Sequence, residues 1–108
     1  MTSSVDQHKL IALLGLARRA GRLAVGFSAV ETMVRKGQAP LVIVASDMGA
    51  SQRGKVDNWE PLRGILDDGL TAEEMAQAMG REKLSIVGVC DTGFVKGIQK
   101  LVAGGNER

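Results

Sequence analysis

The sequence has little of the chemistry that enzymes and disulfide-stabilised proteins need. Its 108 residues include one cysteine, one histidine and no tyrosine. The single cysteine, Cys90, excludes an internal disulfide and a multi-cysteine zinc site, and it favours a reducing compartment such as the cytoplasm. His8 stands near the start of the chain, where a solvated side chain is the ordinary expectation. We therefore predict no catalytic residues, no metal ligands and no cofactor.

Phosphate-binding loops and membrane segments are also missing from the sequence. It contains no Gly-x-x-x-x-Gly-Lys-Ser/Thr loop and no Gly-x-Gly-x-x-Gly loop. No apolar run approaches the roughly 20 residues that a membrane helix requires, and the first residues lack the pattern of a signal peptide. Aromatic residues make up only 3% of the chain, namely Phe27, Trp59 and Phe94, which disfavours a platform of stacked bases. We expect a cytoplasmic protein that is neither exported nor embedded in a membrane.

What the sequence does contain is the pattern of one compact α/β domain over residues 1–108. Its central unit is a short strand at 23–25, a turn at Gly26 and a helix that ends at Gly37. Ser28 is the predicted N-cap of this helix, with Glu31 completing a capping box. The apolar run at 41–45 follows, and such a run is typical of a strand covered on both faces of a sheet.

The remaining elements alternate in the same way. We predict a first helix capped by Ser3 or Ser4 and stopped by Gly21, a weak helix at 50–59 and a short strand at 62–66. A Thr71-x-x-Glu74 capping box opens the next helix. A strand at 84–90 follows, and either Asp91 or Thr92 caps the last helix. Four strands and about five helices predict an α/β sandwich with helices on both faces of the sheet.

Charge is distributed unevenly although the net charge is only +2. Residues 1–40 carry +4, residues 41–80 carry −4 and residues 81–108 carry +2. Basic ends that meet in space would favour polyanions, and a solvated surface of mixed charge is the alternative.

The Gly26 turn is the most informative candidate site. A helix that begins there offers free backbone N–H groups, which bind phosphate. Because the first helix ends just before the same strand, we expect its basic end to lie beside this turn. Two further basic residues stand in the loop before the last strand. The basic residues concerned are Arg18, Arg19, Arg22, Arg81 and Lys83. Two other basic pairs are expected to lie elsewhere, on the outer side of the last helix and in the acidic middle third: Lys96 with Lys100, and Arg53 with Lys55.

The run from Gly26 to Asp47 resembles the core of the kink-turn-binding ribosomal protein superfamily, the L-seven-Ae and L-thirty-e type. The stretches 13–23 and 79–82 are similar to its bacterial YlxQ-like branch, and the resemblance extends from about residue 9 to residue 102. It implies a three-layer α/β/α sandwich with a small mixed sheet of about four strands. It also implies no enzymatic activity and binding to structured RNA, ribosomal or transfer RNA among the candidates. The RNA contact that it implies is formed by the first strand-to-helix turn, the start of the second helix and the loop before the last strand.

The residues that read RNA in this superfamily are only partly present. The pattern after the glycine is Asn-Glu-x-x-Lys, whereas this chain has Ser28, Ala29 and Thr32, while Gly26 and Asp47 match. An amide, a carboxylate and an ammonium group are therefore missing, which predicts weak recognition of a consensus kink turn. The predicted RNA-binding residues are Arg18, Arg19, Arg22, Gly26, Phe27, Ser28, Ala29, Thr32, Asp47, Arg81 and Lys83.

The sequence leaves alternatives open. A protein-interaction module that kept the fold and lost kink-turn readout is the second hypothesis, and a substrate-binding appendage of an enzyme is the third. Members of the branch in some bacteria follow a YlxR-like domain, so a longer product with this chain as its C-terminal part is a further alternative. The particular partner and the oligomeric state are not encoded in any motif.

Overall fold

The computed structural model describes residues 6–104, in which five helices alternate with four strands. The number and order of these elements confirm the sequence prediction. None of the helices in this range is long and apolar enough to cross a membrane. The elements are α1 (Gln7–Arg19), β1 (Leu23–Val25), α2 (Phe27–Arg35), β2 (Leu41–Val44), α3 (Ala50–Asp57), β3 (Gly64–Leu66), α4 (Ala72–Met79), β4 (Ile86–Val89) and α5 (Thr92–Gly104).

The four strands form one mixed sheet in the order β1-β4-β2-β3. Strand β4 is antiparallel to both β1 and β2, whereas β2 and β3 are parallel. The register places Val25 opposite Val87 and Val44 opposite Ile86. Strands β1, β2 and β3 therefore finish where β4 begins. We call this side of the sheet the Gly26 end and the opposite side, where β4 finishes, the Asp91 end.

Helices cover both faces of the sheet and bury two apolar clusters. On one face, α1, α4 and α5 pack around side chains such as Leu14, Met75 and Ile98. On the other face, α2 and α3 pack through Val30 and Val56. Strand β2 alternates between the clusters, so all four of its side chains are buried, which is why its sequence is an uninterrupted apolar run. The architecture is the expected three-layer α/β/α sandwich.

Capping residues mark several of the helix boundaries. The N-cap of α1 is Asp6, whose side chain accepts a hydrogen bond from the Lys9 N–H, while the predicted caps Ser3 and Ser4 lie outside the described residues. Gly21, with φ of 73°, follows α1 as predicted. The N-terminus of α5 is capped by Asp91, whose Oδ1 accepts from the N–H groups of Gly93 and Phe94. Helix α3 and strand β4 are shorter than predicted, since α3 stops at Asp57 and β4 spans only Ile86–Val89.

Candidate nucleic-acid interface

Gly26 joins strand β1 directly to helix α2. Its N–H donates to the Ile86 carbonyl (3.0 Å), which extends the sheet, and its own carbonyl accepts from the Val30 N–H (3.1 Å), which starts the helix. Its φ of 99° and ψ of 160° lie in a region that is accessible essentially to glycine alone. This backbone conformation lets the chain pass from strand to helix without an intervening loop.

The predicted capping box of α2 is therefore wrong. The helix begins at Phe27, its N-cap is Gly26, and Ser28 lies inside the first turn. Glu31 instead pairs with Arg35, one turn further along, with 3.6 Å between Oε2 and Nη2. Because glycine supplies no side-chain acceptor, the start of α2 has no side-chain cap.

The uncapped start of α2 exposes hydrogen-bond donors. The first intrahelical bond is made by the Val30 N–H, so the three preceding N–H groups have no partner within the helix. Ser28 and Ala29 are exposed in this turn. A helix N-terminus of this kind attracts anions, phosphate included, through its amides and its dipole.

Three residues at the positions of the family's RNA-reading pattern share one exposed surface of α2. Ser28, Ala29 and Thr32 are all exposed, and their spacing places them on neighbouring turns. Val30 and Val34 face the core instead. The structure thus brings these predicted site residues together at the Gly26 end, with a hydroxyl, a methyl group and a second hydroxyl as the available groups.

The loop between α4 and β4 brings basic side chains to the same place. The Arg81 guanidinium lies over Gly26: its Nη2 atom is 3.7 Å from the position that a Cβ on this glycine would take. The backbone N–H of Arg81 donates to the Ala76 carbonyl (2.9 Å), which anchors the loop to α4. Arg81 and Lys83 are exposed, and neither side chain has a hydrogen bond or ion pair within residues 6–104.

An open cavity of about 700 Å³ separates this loop from α2, α3 and α4. Its charge is balanced within the protein, because Glu73 and Glu82 line it beside Arg81 and Lys83. The cavity is therefore not a purely basic cleft. Its other lining residues include Gly26, Phe27, Gln52, Gln77 and Ser85.

Asp47 lies at the same end of the sheet but already has a structural partner. Its Oδ1 accepts a hydrogen bond from the Ala72 N–H (2.8 Å) in the first turn of α4. This bond ties the segment after β2 to α4. A contact between Asp47 and RNA stays a prediction.

Arg22, the basic residue that follows α1, does not lie beside the start of α2 as expected. Arg22 lies at the Asp91 end, where its Nε is 3.8 Å from the Asp91 Oδ2. The intervening strand β1 sets the distance from Arg22 to Gly26 at about 13 Å. Arg18 donates from Nη1 to the Met79 carbonyl at the end of α4, and Arg19 is exposed on the last turn of α1. For Arg22 the expectation failed because a helix that precedes a strand in sequence meets the strand's first residue, not its last. RNA contacts of these arginines stay predictions.

Sequence reasoning missed a cluster built by Phe27, Lys55 and Trp59. The Phe27 and Trp59 ring centroids are 5.0 Å apart at an interplanar angle of 52°. The Lys55 Nζ lies 6.0 Å from the Phe27 centroid, so Lys55 stands beside the start of α2 and not away from it. No sequence signal could have shown this, because the contact joins α3 to α2.

The neighbouring Arg53 is paired with acidic side chains. It forms ion pairs with Asp57 (2.9 Å) and with Asp67 (2.8 Å). The hydrogen bonds that its guanidinium donates, first to Asp67 and then to Asp57, raise the pKa of Arg53. Its charge is used to hold α3 against the segment after β3.

Reactive and metal-binding groups are sparse in the described range. Cys90 is half-buried, and burial raises the pKa of its thiol, which keeps it in the unreactive protonated form near neutral pH. His8 is exposed on α1. No three or more His, Cys, Asp or Glu side chains of residues 6–104 are grouped so that they could hold a metal ion.

Similar proteins show the family to which the chain belongs. No family model matches the sequence. The chain is 30% identical over 100 residues to the RNA-binding protein YlxQ of Enterococcus faecium. The matched region covers 92% of this chain and 96% of that protein. Its fold is similar to the solved structure of a protein with unknown function from Bacillus halodurans, with a TM-score of 0.73 and 30% identity, covering 88% of this chain and 97% of that one. Because the identity to YlxQ extends over nearly the whole of both proteins, the chain belongs to the YlxQ family.

Proposed function

We propose that the protein is a non-catalytic, cytoplasmic RNA-binding module that contacts structured RNA, such as ribosomal or transfer RNA, with its Gly26 end. The observation that carries this proposal is the uncapped start of α2 with the Arg81 guanidinium above Gly26. Membership in the family of a protein named as RNA-binding supports it.

The contact we propose is mainly to phosphate. The amides at the start of α2 donate to phosphate oxygens, and Arg81 and Lys83 add charge-assisted hydrogen bonds. Such contacts position an RNA without reading its sequence. Since Ser28, Ala29 and Thr32 offer no amide, carboxylate or ammonium group, we further propose that a consensus kink turn is bound little better than an RNA whose kink pairs have been mutated.

The salt dependence of RNA binding tests the location of the contact. We expect Arg81→Ala/Lys83→Ala to reduce the magnitude of the slope of log affinity against log salt by roughly 1 to 2. Each phosphate contact that is lost means that about one counterion fewer is released when the RNA binds. Lys96→Ala/Lys100→Ala is the matched control, since both lysines are exposed on α5 and the change in net charge is the same. Its slope is expected to equal that of the unmutated protein.

Two outcomes would contradict the proposal. Equal losses in both double variants would indicate diffuse attraction to a basic protein. The absence of RNA binding by the unmutated protein at low salt would favour the protein-interaction module, whose apolar interface depends far less on salt.

A further inference from the structure

Lys55 occupies an unusual place for an unpaired lysine. It is exposed near the C-terminal end of α3, and its ammonium stands over the face of Phe27, the first residue of α2. The Phe27 ring is in turn fixed by its contact with Trp59. The cluster therefore holds a cation close to the start of α2, on the side that faces α3.

The acid nearest to Lys55 in sequence, Asp57, does not neutralise it. Asp57 is taken by Arg53, and the same arginine also takes Asp67. Lys55 has no ion pair within residues 6–104. The contact that fixes its position is with an aromatic ring, which attracts the ammonium and leaves its charge uncompensated.

The position of this charge is unfavourable for the protein alone. The N-terminus of a helix carries partial positive charge, so a cation beside it lowers the stability of the helix. Arg81 adds a second cation without an ion pair in the described range, and its guanidinium lies over Gly26. Phe27 is near both cations, because it lines the same cavity as Arg81 and its ring contacts Lys55. A bound anion near both cations would offset the repulsion between these cations and the positive end of the helix dipole.

We propose that Lys55 is a cationic contact to the RNA backbone, held in place by Phe27 and Trp59, so that the RNA crosses the start of α2 from Arg81 to Lys55. This inference rests on the proposed function and adds to it a residue from α3. The partner group is a phosphodiester. Phe27 is only half-buried and its ring already contacts both Trp59 and Lys55, so the cluster acts through its charge and not as a platform for bases.

The first test compares Lys55→Gln with Lys36→Gln. Lys36 is also an exposed lysine without an ion pair in the described range, and it lies at the opposite end of α2. We expect Lys55→Gln to reduce the salt slope of RNA binding by about 1, while Lys36→Gln leaves the slope unchanged. Lys55→Arg, which keeps the charge and the contact with the ring, is expected to retain the full slope.

The second test uses Trp59, the one tryptophan in the chain. Saturating RNA is expected to change its fluorescence emission in the unmutated protein, because a phosphate bound by Lys55 alters the environment of the cluster. In Lys55→Gln the change is expected to be largely lost even at saturation. In Arg81→Ala/Lys83→Ala it is expected to persist at saturation, since that variant keeps the cluster.

The outcomes separate this inference from the proposed function. If the unmutated protein binds no RNA, or if Arg81→Ala/Lys83→Ala leaves the slope unchanged, the proposed function fails. If that double variant lowers the slope but Lys55→Gln does not, only the role of Lys55 is overturned. A lower melting temperature of Lys55→Gln with an unchanged slope also overturns it, because the lysine then serves only to pack α3 against α2.

Discussion

Helices α2 and α4 begin at the edge of the same cavity, but their N-termini are organised in opposite ways. At the start of α4, Thr71 and Glu74 form a reciprocal capping box, and Asp47 accepts from a further N–H in the first turn. At the start of α2, the N-cap is Gly26 and no side chain accepts from the first turn. The donors of α4 are used within the protein, whereas those of α2 are available to a ligand.

The other helices extend this contrast. Helices α1 and α5 are capped by aspartate side chains, Asp6 and Asp91. Helix α3, like α2, has a glycine as its N-cap and no side-chain cap. The two uncapped helices lie on the same face of the sheet and both begin at the Gly26 end, after β1 and β2. Side-chain caps therefore stabilise the helix starts on one face of the sheet, while the helix starts on the other face keep free N–H groups where RNA binding is proposed.

The largest effect on the contrast between α2 and α4 is expected when α2 receives the three polar side chains of the family's RNA-reading pattern. We expect Ser28→Asn/Ala29→Glu/Thr32→Lys to bind a consensus kink turn more tightly, since each bidentate base contact is worth about 1 to 3 kcal/mol. The triple variant adds one negative and one positive charge, so general attraction to phosphate stays the same. Titration of the kink turn and of the same RNA with mutated kink pairs measures the effect. A variant that binds both RNAs equally would show that these side chains do not face the kink.

Removing a cap from α4 tests the other half of the contrast. Thr71→Ala eliminates the acceptor for the Glu74 N–H and is expected to lower the free energy of unfolding by about 1 kcal/mol. Urea denaturation measures this loss. RNA affinity, determined under conditions where the variant is fully folded, is expected to remain unchanged. A large loss of RNA affinity would mean that the start of α4 also contacts the RNA.

The smallest expected effect comes from adding a negative charge to the start of α2. Ser28→Asp is expected to stabilise the protein by about 0.3 to 1 kcal/mol, because the carboxylate complements the helix dipole. The same carboxylate competes with phosphate, so RNA affinity is expected to fall. Thermal denaturation and RNA titration measure these two changes, with Ser28→Asn as the uncharged control for general phosphate binding. Changes of the same sign in stability and affinity would contradict an open phosphate site at α2.

The sequence predicted the features that depend on neighbouring residues. The Thr71 and Glu74 capping box is confirmed, because both partners lie within one helical turn and nothing distant is needed. The apolar run of β2 likewise predicted a strand buried on both faces. These predictions needed only the pattern of apolar residues along one strand and the side-chain chemistry of one helical turn.

The same local rule failed at Ser28 and Glu31. Gly26 adopts a backbone conformation that starts the helix two residues earlier than a serine cap would, and Glu31 then faces Arg35. A glycine that replaces a cap leaves no side-chain signal in the sequence. N-caps are predicted from side chains that can accept a hydrogen bond, and the N-cap of α2 has no such side chain.

The arrangement of the candidate site could be predicted only in part. Arg81 was placed near Gly26 by the resemblance and does lie there, whereas Arg22 is separated from it by the length of β1. Lys55 was assigned to a distant surface, and the packing of α3 against α2 brings it to Phe27. Contacts between elements that are far apart in sequence decide such positions, and charge along the chain does not report them.

The bond between Gly26 and Ile86 has a consequence for the order of folding. Its two partners are sixty positions apart in the chain, and β1 has its only strand partner within residues 6–104 in β4. Pairing over such a separation forms late, because a long loop must first be closed. As the chain leaves the ribosome, β1 and the start of α2 therefore wait for β4 to emerge. The surface proposed to bind RNA is completed by the same event that closes the sheet.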